Sequence, residues 1–159
     1  MEVVDPAAGD QGRTPEQERL VAISRAQIAA HGREGALAVW TGSALYPKAV
    51  FGHKGYLPVQ VCLTDDGLLR CTTAEGDLIW GVSVLAPNAC RMKRAAFWVS
   101  RIDGKEDDAC FGRLHPFTVC FLDEKDLAIP YVGLWALRQG ARRARPLREA
   151  LRSVGATFE

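Results

Sequence analysis

The chain has 159 residues, 48% of them apolar and 25% charged, with a formal net charge of +1. This size fits one domain, and the composition is that of a globular protein able to bury a core. With so small a net charge no global field draws the molecule to nucleic acid or membrane, so any electrostatic function must come from local clustering.

Residues 1–13 are polar and acidic, rich in Asp, Gly, Ala and Pro, with no apolar core of a secretory signal, and read as a disordered leader. No apolar run approaches the roughly 18–20 residues that span a bilayer; the longest, Leu127 to Leu137, is broken by Pro130 and Gly133. The five cysteines, Cys62, Cys71, Cys90, Cys110 and Cys120, are odd in number and include no C-x-x-C pair. They read as buried free thiols in a cytoplasmic protein rather than a disulfide framework.

Thr14 opens the first helix. Pro15 sits at its first position and Gln17 stands three residues after Thr14, the spacing of a capping box. Leu20, Val21, Ile23 and Ile28 give an apolar face and Gly32 a stop, so a helix is predicted from about Pro15 to His31. Ala36 to Trp40 reads as a strand, continued by Ser43 to Tyr46 past a kink at Gly42. Lys48 to Tyr56 reads as a loop with at most a short strand.

Leu57 to Leu85 holds three β runs separated by Asp65-Asp66-Gly67 and by Ala74-Glu75-Gly76-Asp77. A two-residue turn at Asp66-Gly67 would set Cys62 opposite Cys71. A three-residue turn, with Gly67 left-handed, sets Val61 opposite Cys71 and Leu63 opposite Leu69. The second register gathers Val59, Val61, Leu63, Leu69 and Cys71 on one face, and a coherent apolar face fixes register, so it is preferred. In the third run Leu78, Trp80, Val82 and Val84 alternate to one side.

Pro87 and Asn88 break the pattern. Ala95 to Ile102, Cys110 to Leu114 and Phe117 to Leu122 read as further strands, with a charged loop at Asp103 to Asp108. Leu127 to Leu137 is either a last strand or part of a helix capped by Asp123, which Pro130 would interrupt. Pro146 reads as the first residue of a final helix that buries Leu147, Ala150, Leu151 and Val154 and stops at Gly155. The expected fold is therefore α+β, mainly β. An antiparallel sheet over 36–137 follows a helix over 14–32, and an amphipathic helix over 146–155 closes the domain.

About seven strands with glycine turns, the hairpin Val59-Gln-Val-Cys-Leu-Thr-Asp-Asp-Gly-Leu-Leu69 and the closing Pro146-Leu-Arg-Glu-Ala-Leu151 resemble the pleckstrin-homology and GRAM-like domains over residues 36 to 155. That resemblance implies a meander closing into a PH-like barrel or sandwich. It also implies a binding or scaffolding module of a cytoplasmic, bacterial protein, without catalysis or cofactor. The helix from Pro15 is not part of the family pattern.

Among chemistry-bearing residues the arginines stand out. Arg138, Arg142, Arg143, Arg145, Arg148 and Arg152 fall within fifteen residues, opposed there only by Glu149. The planar guanidinium fork suits phosphate, so these residues are the candidate ligand contacts, with Lys54 of the Gly-rich segment Gly52 to Tyr56 as a further one. The partners they imply are an anionic lipid head group or an acidic protein. No aromatic residue interleaves with them, which disfavours single-stranded nucleic acid. A second reading is a small-molecule barrel or minor enzyme with a site near His53 and His115, where Cys110 and His115 could pair. A third is a purely structural homo-oligomer subunit. No ligand set has metal spacing, Asp103 to Asp108 lacks the oxygen pattern of an EF-hand, and the four tryptophans are assigned to the core or its rim.

Overall fold

The computed structural model describes residues 14–106 and 114–159. The expected leader, all of the expected strand Cys110 to Leu114 except Leu114, and the end of the charged loop lie outside these residues. The first helix, α1, runs Pro15–His31. Its capping box forms as the sequence requires: Gln17 N–H donates to Thr14 Oγ1 at 3.2 Å, and Thr14 N–H donates to Gln17 Oε1 at 2.7 Å.

Seven antiparallel strands follow among the described residues: β1 (Ala38–Pro47), β2 (Tyr56–Thr64), β3 (Leu68–Thr72), β4 (Leu78–Ser83), β5 (Ala89–Lys93), β6 (Ala96–Ser100) and β7 (Thr118–Cys120). The short helix α2 (Glu124–Leu127) and the long α3 (Leu134–Ser153) complete the chain. The strands form one open sheet in the order β4-β3-β2-β1-β7-β6-β5. Two meanders, β1 to β4 and β5 to β7, are thus joined where β7 pairs with β1 at Leu45 and Cys120.

The β2–β3 hairpin has the register that its apolar face demands. Val61 stands opposite Cys71 and Leu63 opposite Leu69. Gly67 is left-handed at φ 81°, a conformation that only glycine takes without strain. The two expected strands at 36–46 are one continuous β1. Gly42 does not kink it: Thr41, Gly42 and Ser43 pair in register with Cys62, Val61 and Gln60, and the irregularity lies between Ala38 and Trp40; the Trp40 ring lies over the glycine, where a Cβ would come within 2.5 Å of it. The segment 36–137 is not all sheet, since β7 ends at Cys120 and helix resumes at Glu124 and Leu134. The closing helix also begins twelve residues before Pro146, which lies inside it. Pro146 cannot donate to the Arg142 carbonyl. The helix continues past it because Ala136, Gly140, Ala144, Leu147 and Leu151, at helical spacing, bury one stripe against the sheet.

The core lies inside the curved sheet. Tyr46, Val61, Leu63, Trp80, Phe97 and Val119 are fully buried there, together with Leu147 and Leu151 of α3. Trp80 meets Phe117 edge to face at 5.7 Å. The α1 helix covers the other face of β4, with Ile28 close against Gly81. Its buried Gln27 ties three segments together. Gln27 Oε1 accepts from Ser83 N–H at 3.2 Å and from Asn88 Nδ2 at 3.0 Å, while its Nε2 donates to Asp103 at 2.8 Å. Between the outer strands β4 and β5 runs the segment 156–159. Thr157 N–H donates to the Val84 carbonyl, and the Cys90 N–H and carbonyl bond to Thr157 and Glu159.

The described cysteines are free thiols. Burial raises the Cys71 thiol well above its ordinary pKa and pushes Cys90 up to about 12, so both pack as small hydrophobes.

Candidate functional site

At 3.6 residues per turn, Arg138, Arg142, Arg145, Arg148 and Arg152 fall on the side of α3 opposite its buried stripe. All five are exposed. Arg138, Arg142, Arg145 and Arg148 line a groove of about 400 Å³ between α3 and the β5–β6 hairpin, faced by Met92 and Arg94. Arg94 occupies the hairpin turn at φ 56°. None of these five groove arginines pairs with a carboxylate among the described residues. Five like charges share one concavity, and a bound anion would relieve their repulsion.

The remaining members of the expected set go elsewhere. Arg143 turns to the flank of α3, where its guanidinium reaches both Asp123 oxygens at 2.8 and 2.9 Å and donates to the Phe121 carbonyl at 3.4 Å. That hydrogen-bonded pairing holds the Asp123 carboxyl below its ordinary pKa and raises that of Arg143. Arg152 lies beyond the groove on the same helix. Lys54 and His53 sit in the β1–β2 connection and do not line it. His115 stacks on Trp98 at 5.5 Å and lines a separate cavity with Arg91, Ser100, Arg101, Glu106 and Glu159. His53 is not among the residues of that cavity.

The groove depends on a close approach of helix to hairpin. A Cβ on Gly140 would stand 2.4 Å from Ala95 Cβ and 3.2 Å from Leu122 Cδ2. Gly140→Ala is therefore expected to destabilise by about 1–3 kcal/mol through overpacking, although alanine favours helix by about 1 kcal/mol. Adding Ala95→Gly should recover most of the loss in urea unfolding. A single variant more stable than the native chain would contradict this packing.

Two features of the site escape a sequence reading. Arg94 is far from α3 in sequence and joins it only through the hairpin turn. Trp135 is neither core nor rim. It is 71% exposed, and within the six residues before it Ile129 (50%), Tyr131 (79%) and Leu134 (59%) are exposed as well. Among the described residues, no helix is long and apolar enough to cross a membrane, and no three His, Cys, Asp or Glu side chains gather as a metal site. No protein-family model, curated protein or solved structure matches this chain.

Proposed function

We propose that this chain is a non-enzymatic, PH-like binding module that takes an anionic, phosphate-bearing partner along the exposed face of α3. The observation that carries the reading is the groove of Arg94, Arg138, Arg142, Arg145 and Arg148, five cations of which none forms an ion pair among the described residues, with Glu149 the carboxylate that shares their face of α3. A guanidinium binds phosphate through paired N–H donors, and such charge-assisted bonds are the strong ones. The pleckstrin-homology likeness is supported by the two meanders joined through β1 and β7 and by a helix packed against their core.

Inositol hexakisphosphate serves as a soluble probe. The exposed pair Arg142→Ala and Arg145→Ala should weaken its binding about 30-fold, at about 1 kcal/mol for each solvent-screened contact. Raising the salt should weaken native binding as well. Lys54→Ala should leave it unchanged, because Lys54 does not line the groove. Native titration calorimetry in which the double variant binds as tightly as the native chain would remove the proposal.

A further inference from the structure

We infer that the open edge of β1 between Ala38 and Ala44 is a docking site for an extended peptide strand, uncharged along its middle and basic at its ends. This surface is separate from the α3 groove and does not rest on the anion-binding reading.

β1 is paired along its length on one side only. β2 pairs with it from Pro47 back to Ala38, whereas β7 meets it at Leu45 and Cys120 alone. Two contacts draw the following chain elsewhere. Phe121 N–H donates to the Ala95 carbonyl at 2.8 Å, which keeps the chain with the β6 hairpin, and Arg143 holds Asp123 against α3. Among the described residues no other strand or bridge lies beside Ala38 to Ala44. Ala38, Val39, Thr41 and Ser43 are exposed there, and Leu37 just before them is 71% exposed. Backbone groups of a strand point alternately to its two sides, so this stretch offers a row of N–H and C=O groups about 20 Å long, at about 3.3 Å per residue.

An unprotected edge is a template for strand addition, and sheets that do not use one blunt it with Lys, Pro or a cover. β5 has such protection in Arg91, Lys93 and the 157–159 segment. Apart from the irregularity between Ala38 and Trp40, β1 has none. Between Glu34 and Lys48 the sequence holds no charged residue, and its proline, Pro47, stands at the far end of the strand. An added strand gains affinity from main-chain hydrogen bonds, whatever its own side chains.

Charge chooses the occupant. At the start of β1, Asp65 N–H donates to the Leu37 carbonyl, and Glu34, Asp65 and Asp66 stand against Arg33 and Arg70. Where the chain leaves β7, a cleft of about 380 Å³ is lined by Ser43, Leu45, Phe121, Asp123, Glu124 and Arg143. Here Asp123, Glu124 and Asp126 stand against Lys125 and Arg143. Carboxylates are in excess at both ends, which favours a strand with basic ends. A second copy docked by two-fold symmetry would run antiparallel and bring one acidic end against the other, which disfavours a homodimer. The same charges disfavour nucleic acid.

The test titrates the full, isotope-labelled chain with three synthetic peptides. One alternates Val and Thr between paired Lys ends, one carries paired Glu ends instead, and one is the Lys-ended peptide with its Val and Thr amides N-methylated. The Lys-ended peptide should saturate below about 1 mM, shift the amide signals of Ala38 to Gly42, and slow their hydrogen exchange about tenfold. The Glu-ended peptide should bind about tenfold more weakly, and the N-methylated one should not bind. Val39→Lys with Thr41→Lys changes only exposed side chains and places a protecting charge on the edge. It should weaken binding of the Lys-ended peptide about tenfold or more, with the urea midpoint little changed. No saturable binding of the Lys-ended peptide, or signal shifts confined to α3 or to the β4 and β5 borders, would overturn the site. Equal binding of the Lys-ended and Glu-ended peptides would overturn the basic-ended occupant. A native dimer in sedimentation that the double variant dissociates would make the occupant a second copy and overturn the peptide.

Discussion

Trp80→Ala is expected to lower the free energy of unfolding by about 3–5 kcal/mol, the range for deleting a large buried aromatic. The side chain is fully buried at the centre of β4, opposite Cys71 of β3 and edge-on to Phe117. It therefore bridges the β1–β4 meander to the segment that leads into β7. Such a loss is a large part of the roughly 5–15 kcal/mol that a domain holds in reserve. Trp80→Phe should cost much less. The indole Nε1 is buried without a hydrogen-bond partner among the described residues, and phenylalanine removes that unpaired donor along with some volume. Urea unfolding of both variants checks this. An alanine variant within about 1 kcal/mol of native would mean the core does not close around Trp80.

Gln27→Leu is expected to cost about 2–4 kcal/mol, almost all of it from backbone and amide groups left behind. Leucine matches the volume and keeps helix propensity, so packing and α1 itself are little changed. What is lost is the acceptor for Ser83 N–H and Asn88 Nδ2 and the donor to Asp103. Ser83 and Asn88 are each 1% exposed, so water cannot replace the glutamine oxygen. Asn88 Nδ2 keeps its bond to the Ser83 carbonyl at 2.7 Å, which limits the damage. Hydrogen exchange should accelerate most at the Ser83 amide. A fully neutral substitution would show that this network orders the helix without stabilising it.

How much of this was legible depended on whether the signal was local. The Gly67 turn was legible because Asp66-Gly67 and two alternating runs stand side by side, and only one register makes a single apolar face. The α1 cap was legible for the same reason. Strand β5 was not. Ala89-Cys90-Arg91-Met92-Lys93 has no alternation, and its turn puts a non-glycine residue, Arg94, at positive φ. The start of α3 was masked because Pro146 looks like a first helical residue, and only the stripe from Ala136 to Leu151 overrides it. The arginines could be read as a cluster, but their sorting could not. Arg143 is drawn aside by Asp123, twenty positions earlier, and Arg94 arrives through topology. Trp135 was assigned inward on its chemistry alone, whereas helical phase places it outward.

The 156–159 segment bears on how the molecule behaves in a crowd. An open sheet leaves two rims of unpaired N–H and C=O groups, and these are templates for strand addition between molecules. Here the rims belong to β4 and β5, and residues 157–159 are laced between them through Val84 and Cys90. Glu159 adds a charged latch, with Arg91 at 3.2 Å and Arg101 at 3.0 Å. The chain thus fills the start of the β5 border at Cys90 and the stretch just past β4 at Val84 with its own backbone, where a strand from another molecule would otherwise pair.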